Sequence, residues 1–417
     1  MTQDSWNQDV RRIALCFTEL VFDHEANKAL GCSSAASPAI SSTLNQSANV
    51  TTMTTVAPTT TGTAFSTSSV DNFSHIAGDV ATVYPINNAD LVMRMIALLK
   101  INENHLEAES VLNIRCLPGF VERRSRIKEV QCVNLGRLLS SFIDIAGIPN
   151  RGFFEGLAQH ATNDEEKEKL IEISSAEGTD LYYDYCLKEK RNFVEVLEDF
   201  RSARPPLERL LELLPVLQPR HYSIANSGLV CAAEVQLCVA VTSSKTPYGR
   251  ARVGVCSGYL SSLSLGDQVL FWVRSGSFKL PTRLPGVEWK EPPMILVGPG
   301  TGVAPMRALI QERKAVYESC REVSHKSAIT DVSTILFFGC RSRANDFLYS
   351  EDWEFGSALN GDPDIFDGAS EKMVVAFSRD QPQKIYVTDK IEEHGVLVWK
   401  LLCDVSLLRS WKPLSNR

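Results

Sequence analysis

Several short stretches of this chain combine residue types that handle phosphate groups and planar rings. The most informative runs from Met294 to Arg307, MILVGPGTGVAPMR, where an apolar run breaks into Gly298, Gly300 and Gly302, with Thr301 inside the turn. A helix-like pattern follows over residues 304–313. Strand, glycine turn and helix bring free backbone N–H groups and the positive end of a helix towards phosphate oxygens. The spacing is G-x-G-x-G rather than the common G-x-G-x-x-G, and Pro299 and Pro305 stiffen it. Taken alone, the cluster reads equally well as a tight strand-to-helix turn.

Other stretches carry related chemistry. In Arg220-His-Tyr-Ser223 an arginine fork suits a phosphate, the Tyr222 ring suits a planar cofactor, and the Ser223 hydroxyl can hydrogen-bond to a reacting atom. An edge-strand tyrosine beside a solvated arginine is the plain alternative. In Gly254-Val255-Cys256-Ser257 a small-residue turn precedes a short helix, which suits a diphosphate or simply a serine N-cap. Cys256 reads as a space-filler, since no His or acidic residue lies close in sequence to activate it. Where an NAD site carries an acidic residue on the ribose, the stretch from Ser378 to Tyr386 supplies Ser378, Arg379, Lys384 and Tyr386. Cations and hydroxyls favour a 2′-phosphate, hence NADPH, unless this is only a solvated basic loop.

These motifs need elements to hold them. The chain has 417 residues, long enough for two or three domains, with 44% hydrophobic and 22% charged residues. A net charge of −7 disfavours nucleic acid or an anionic membrane as the main partner. No uncharged apolar run reaches the roughly 18–20 residues that span a bilayer. The first residues lack the order of a secretory signal, and eleven cysteines without a C-x-x-C pair suggest reduced thiols and a cytoplasmic protein. Seven scattered histidines and the cysteine spacing offer no metal site.

Residues 33–70 are mostly Ser, Thr, Ala and Asn and read as a disordered insertion. The sequons at Asn45, Asn49 and Asn72 read as chance in such a tract. Within it, Thr60-Thr-Gly-Thr-Ala64 imitates an FMN phosphate loop but lacks the flanking strand and helix. Residues 88–214 are mainly helical in pattern, with breaks at Pro149, Gly178 and Pro205-Pro206 and a solvated face at 164–170. Beyond Pro215 the texture turns to strands. From Met294 onward apolar strands alternate with helices, as in an α/β domain with a parallel sheet.

The ordered set Arg-x-Tyr-Ser, Gly-x-Cys-Ser, GPGTG, FFGCR (Phe337 to Arg341) and SRD…K-x-Y resembles the reductase half of the NADPH-dependent diflavin family. AGDVATVYPINNAD (Ala77 to Asp90), FIDIAGIPNRGFFEGLA (Phe142 to Ala158), FWVRSGSFKLP (Phe271 to Pro281) and FSRDQPQKIYV (Phe377 to Val387) resemble its cytosolic iron–sulfur-assembly branch. A sulfite- or methionine-synthase-type branch is the alternative within the family.

The resemblance implies a multidomain β and α/β architecture. An N-terminal segment, 1–71, precedes a ferredoxin-reductase-like, FAD-binding antiparallel β-barrel formed by 72–95 and 215–290. A helical connecting insertion occupies 96–214, and a doubly wound, C-terminally truncated NADPH domain occupies 291–417. Arg220 would bind FAD phosphate, Tyr222 would stack on the isoalloxazine, and Ser223 would act catalytically beside flavin N5. Gly254, Val255, Cys256 and Ser257 would cradle the FAD diphosphate. Gly298, Gly300, Thr301 and Gly302 would meet the NADPH diphosphate, with Arg341, Ser378, Arg379, Lys384 and Tyr386 around the nucleotide.

Implied cofactors are FAD and NADPH. FMN is expected for the family, but only about 70 residues precede the barrel, short of a typical domain. The implied activity is an NADPH oxidoreductase with an anamorsin-like iron–sulfur-assembly protein as electron acceptor. After Leu402 the text departs from the family, so the strand ending at Val297 is expected to lack a neighbour. A non-catalytic shortened isoform that binds FAD or a partner is the alternative reading.

Overall fold

The computed structural model describes strands at 12–17, 51–59 and 62–66, and residues 74–102, 106–113, 132–232, 234–264, 266–280, 293–324, 334–353, 367–368 and 371–403. Its first sheet is built from β1 (Arg12–Phe17), β2 (Thr51–Thr59), β3 (Gly62–Ser66) and β4 (Val80–Val83). After the small β5 (Val111–Asn113) and β6 (Cys132–Asn134) hairpin come β7 (Arg220–Ser223) and β8 (Val235–Ala240). A second hairpin, β9 (Ser243–Lys245) and β10 (Ala251–Val253), precedes β11 (Val269–Arg274).

The seven-stranded order is β7-β4-β11-β2-β3-β1-β8. An antiparallel bridge between Ile224 and Leu237 joins the two ends of that order. Closure therefore runs through one bridge rather than a full ladder, and β1 pairs with β3 in parallel, so the sheet is not the wholly antiparallel barrel expected. Period-two alternation places Ala81, Val83, Val235, Leu237, Val239, Val269 and Phe271 in one core.

Within the Ser/Thr-rich tract the structure describes β2 and β3. Its threonines and valines are β-branched and suit extended backbone when long-range partners exist, here β11 and β1. Pro58 lacks an N–H, and the β2–β3 register shifts between Val56 and Thr59 around it. Of the Thr60–Ala64 string, Gly62 to Ala64 lie on β3, and Thr60 and Thr61 lie outside the described residues. The first barrel segment, expected over 72–95, includes the first residues of a helix. Leu91, Val92 and Met95 lie on α1 (Ala89–Asn102) and belong to the helical core.

That core gathers α1, α2 (Leu135–Ser141), α3 (Arg151–Ala158), α4 (Asp164–Ser174), α5 (Thr179–Tyr182), α6 (Phe193–Asp199) and α7 (Leu207–Leu213). Asn134, Asn150, Asn163 and Asn192 each cap a helix by accepting from the amide three residues on. Phe153 and Phe154, both almost fully buried, pack with Leu135, Leu138 and Met95.

The remaining elements are α8 (Val255–Ser262), β12 (Met294–Pro299), α9 (Val303–Ser324) and β13 (Thr334–Cys340). Two single turns, α10 (Arg343–Asp346) and α11 (Ser350–Trp353), then β14 (Asp367–Gly368), β15 (Glu371–Phe377), α12 (Val387–Glu393) and α13 (Gly395–Leu402) are the last of the described elements. The sheet order is β12-β13-β15-β14, parallel except for β14. Leu336, Phe338, Met373 and Val375 face α9, while Ile335, Phe337, Val374 and Ala376 face α12 and α13. Both faces are covered, as a parallel sheet requires. β12 is an edge of the described sheet, with Val297 40% exposed.

The helical insertion is held to the first sheet by Asn87. Its Nδ2 donates to the carbonyls of Leu139 and Ile143, each at 2.7 Å, and its backbone N–H donates to Ser140 O at 2.8 Å. Asn87→Ala strands both buried carbonyls. Urea denaturation should show a loss of about 2 kcal/mol; a loss within about 0.5 kcal/mol would mean that the two carbonyls find other partners.

Candidate functional site

Arg220 to Ser223 form β7, paired antiparallel with Val83 to Val80. Arg220 is exposed, and its Nη1 donates to Gln218 O at 2.7 Å, which turns the guanidinium along its own loop. His221 Nδ1 meets Thr82 Oγ1 at 2.9 Å. The imidazole pKa is lowered by desolvation and then by the charges of Arg274 and Arg220, so three basic side chains converge around β7. Tyr222 is half-buried against the sheet core and hydrogen-bonds with the Cys256 thiol. Burial, reinforced by Cys256, pushes its phenol pKa up. Ser223 is half-buried at the end of the strand, opposite Val80.

The Tyr222–Cys256 contact joins β7 to the second motif. Gly254 leads into the eight-residue α8, whose first N–H groups have no partner within the helix. A Cβ on Gly254 would lie 2.7 Å from Ser257 Oγ, so the turn tolerates only glycine without rearrangement. The buried Ser257 hydroxyl accepts from Thr242 N at 3.2 Å and donates to Gly254 O at 3.4 Å. It braces the turn, leaving the backbone amides to meet a ligand. Burial raises the Cys256 thiol pKa, consistent with a packing role.

Behind this cradle stands a residue that sequence reading missed. Glu189 is buried and accepts from Thr246 Oγ1 at 2.8 Å, Tyr248 N at 3.1 Å and Arg250 Nη1 at 2.9 Å. Burial works to raise its pKa, but these hydrogen bonds prevail and the carboxyl titrates below its ordinary range. Arg252 in turn meets Glu195 Oε2 at 2.6 Å. The helical insertion thus grips the β9–β10 hairpin that delivers Gly254.

In the second domain the glycine turn follows β12. Gly298 is buried, and a Cβ there would meet Val303 Cα at 2.8 Å, so its role is to let α9 pack against the strand. Gly300 has φ +56°, the left-handed region that glycine enters without steric cost. Gly302 is exposed and sterically open, which leaves backbone accessible. Thr301 is half-buried between them.

The loops beyond β13 and β15 meet beside this turn, because Ser378 N donates to Cys340 O at 2.9 Å and Arg379 N to Arg341 O at 2.8 Å. Arg341, Arg379 and Lys384 are exposed, and Tyr386 is an exposed N-cap whose N–H donates to Asp389 Oδ2 at 2.7 Å. Gly339, in the same crevice, would clash with Val387 Cγ2 at 2.3 Å if it carried a Cβ. The ends of parallel strands, a glycine turn and basic loops together suit an anionic nucleotide. Among the described residues no cluster of His, Cys, Asp and Glu could hold a metal ion, and no helix is long and apolar enough to cross a membrane.

Two phosphate-type turns on adjoining domains define a class, the oxidoreductases that pair a flavin domain with a nicotinamide domain. The family comparison agrees: the FAD binding domain family matches residues 49–259, and the oxidoreductase NAD-binding domain matches residues 296–400. The chain belongs to this family of FAD- and NAD-binding oxidoreductases. Among similar proteins, NADPH-dependent diflavin oxidoreductase 1 of Danio rerio is 38% identical over 79% of this chain and 51% of its own length. The Arabidopsis thaliana protein of the same name is 37% identical over 78% of this chain and 49% of its own. NADPH–cytochrome P450 reductase of Musca domestica is 34% identical over 78% and 45%. The chain spans about half the length of the curated relatives it matches.

The two constrained glycines separate experimentally. Gly298→Ala forces Val303 away and should cost about 1–3 kcal/mol by overpacking. Gly300→Ala meets no atom within 4 Å and should cost only the left-handed penalty of about 1–2 kcal/mol. Thermal denaturation should rank Gly298→Ala as the less stable; the opposite ranking would contradict the packing argument.

Proposed function

We propose that this chain is the FAD- and NADPH-binding half of a diflavin oxidoreductase. The observation that carries this reading is the convergence of the GPGTG turn with the Arg341 and Arg379 loops at the ends of parallel strands. When bound, NADPH and FAD would supply the redox chemistry, hydride transfer between nicotinamide C4 and flavin N5. This chain's residues bind and orient. Arg220 and the amides of Val255, Cys256 and Ser257 hold FAD phosphates, with Gly254 making room. Tyr222 would lie against the isoalloxazine, and Ser223 would place a hydroxyl by N5 to stabilise the shift of charge.

Gly298, Gly300, Thr301 and Gly302 present backbone to the nicotinamide dinucleotide. Arg341, Ser378, Arg379, Lys384 and Tyr386 contact its adenosine end, the cations selecting a 2′-phosphate. Support for NADPH comes from these residue types and from the names of the relatives. Those names also support FMN, in a further domain, as the next electron carrier. The branch-like strings support an anamorsin-like iron–sulfur-assembly acceptor, and the cysteine usage supports a cytoplasmic setting.

The test is to purify the chain, record its flavin spectrum and add NADPH without oxygen. Bound FAD that bleaches is the expected result; bound FAD that does not bleach would favour a non-catalytic binder. Ser223→Ala should slow bleaching about 100-fold at saturating NADPH while changing nucleotide affinity little, and an unchanged stopped-flow trace would reject the role of Ser223. Arg379→Ala should weaken NADPH about tenfold and NADH hardly at all, as expected for loss of one charge-assisted phosphate contact; equal weakening would remove the 2′-phosphate assignment.

A further inference from the structure

α9, the helix opened by the glycine turn, does not stay within its own domain. Arg307, the last residue of the glycine motif, is only 8% exposed. Its Nη1 donates to Ala225 O and to Gln236 Oε1, both at 2.7 Å. Its Nε and Nη2 both reach Asp352 Oδ2 at 2.5 Å, and the guanidinium carbon lies 4.5 Å from the Tyr349 ring centroid. Ala225 is two residues beyond Ser223, and its own N–H donates to Gln236 O at 2.7 Å. One turn further along α9, Gln311 Oε1 accepts from Ser227 N at 3.1 Å. Glu312 Oε2 accepts from Ser227 Oγ at 3.0 Å and Ala77 N at 2.7 Å.

Tyr349 adds an independent observation. Its φ is +57°, a conformation that disfavours a side chain of this size. The strain sits where the ring forms the floor beneath the Arg307 guanidinium. Strained backbone persists when its surroundings over-determine it, and it concentrates where geometry matters.

We propose that Arg307 is a positioning residue for hydride transfer. By clamping the Ala225 carbonyl it fixes the separation between the Gly298–Gly302 turn and the β7 strand that ends at Ser223. This rests on the function proposed above. A planar fork with several fixed donors resists sliding as a lysine would not. Reaction rates fall steeply when reacting groups are displaced by an ångström.

The test compares the full chain with its Arg307→Gln, Arg307→Lys and Asp352→Asn variants. Without cofactor, amide hydrogen exchange over 224–227 should accelerate in Arg307→Gln. With FAD bound, its flavin reduction at saturating NADPH should slow about 100-fold. NADP⁺ affinity should stay within about threefold, the split expected when an interaction orients rather than binds. The kinetic isotope effect with C4-deuterated NADPH should rise, and Arg307→Lys should fall between wild type and Arg307→Gln. Asp352, whose side chain is 40% exposed, keeps the test alive should both Arg307 variants fail to fold, because Asp352→Asn loosens the fork from outside. It should show a smaller slowing of the same kind.

An unchanged saturating rate in Arg307→Gln would overturn the proposal. So would a loss explained wholly by nucleotide affinity, or an Asp352→Asn variant with lowered thermal stability and an unchanged rate. A wild-type chain that binds FAD without bleaching would instead overturn the proposed function, and is recognised by the failure of the wild type itself.

Discussion

The backbone between Ile224 and Ser227 is fully buried and leaves its strand ladder almost at once. Each polar group there must find a partner or bear the cost of desolvation. Ile224 N donates to Asp79 O, Ala225 N to Gln236 O, and Ser227 N to Gln311 Oε1, while Ala225 O accepts from Arg307. Asn226 stands in for a missing strand, accepting from Gln236 N at 2.7 Å and donating to Glu234 O at 2.9 Å. Those partners come from the first sheet and from α9 of the second domain. Satisfying one short segment therefore closes the sheet, docks the domains and places Ser223.

The same logic runs through the Gly254 turn. α8 can offer free amides because the hairpin before it is held from behind, by Glu189 and Glu195 of the helical insertion. The insertion thus supports the Gly254 turn. The two glycine turns are braced from different directions, Gly254 by the insertion and Gly298–Gly302 through α9 by the first sheet.

The sequence made the turns legible because their constraints are local. Gly298 and Gly300 are needed by residues within a few positions, so the constraint leaves a motif. The alternation of β8 and the apolar runs of β13 and β15 likewise read directly as strands. Glu189, Asn87 and Arg307 left no local mark, since their partners lie far along the chain, such as Ala225 for Arg307. Arg307 lies within the MILVGPGTGVAPMR stretch, but its significance depends on a carbonyl in another domain. The Ser/Thr-rich tract is hard to read for the opposite reason. Composition records what a segment cannot bury alone; β2 finds its neighbours in β3 and in β11, more than two hundred residues away. The asparagine caps were visible in principle, each standing just before an amphipathic run, but proline and glycine breaks drew the boundaries instead.

The loop that follows β13 shows how closely binding and docking are joined. It opens with Arg341, whose carbonyl accepts from Arg379 N and so binds the two basic loops together. It then supplies Arg343, whose N–H donates to Asp380 Oδ2 at 2.8 Å, tying the β15 loop a second time. A few residues later the same stretch turns inward, placing Tyr349 under Arg307 and Asp352 against its fork. One connection therefore carries both the exposed Arg341 and the floor of the domain seam. Because packed interiors deform little, the two basic loops and the domain seam belong to one packed unit, and the strained Tyr349 is where that unit is most tightly specified.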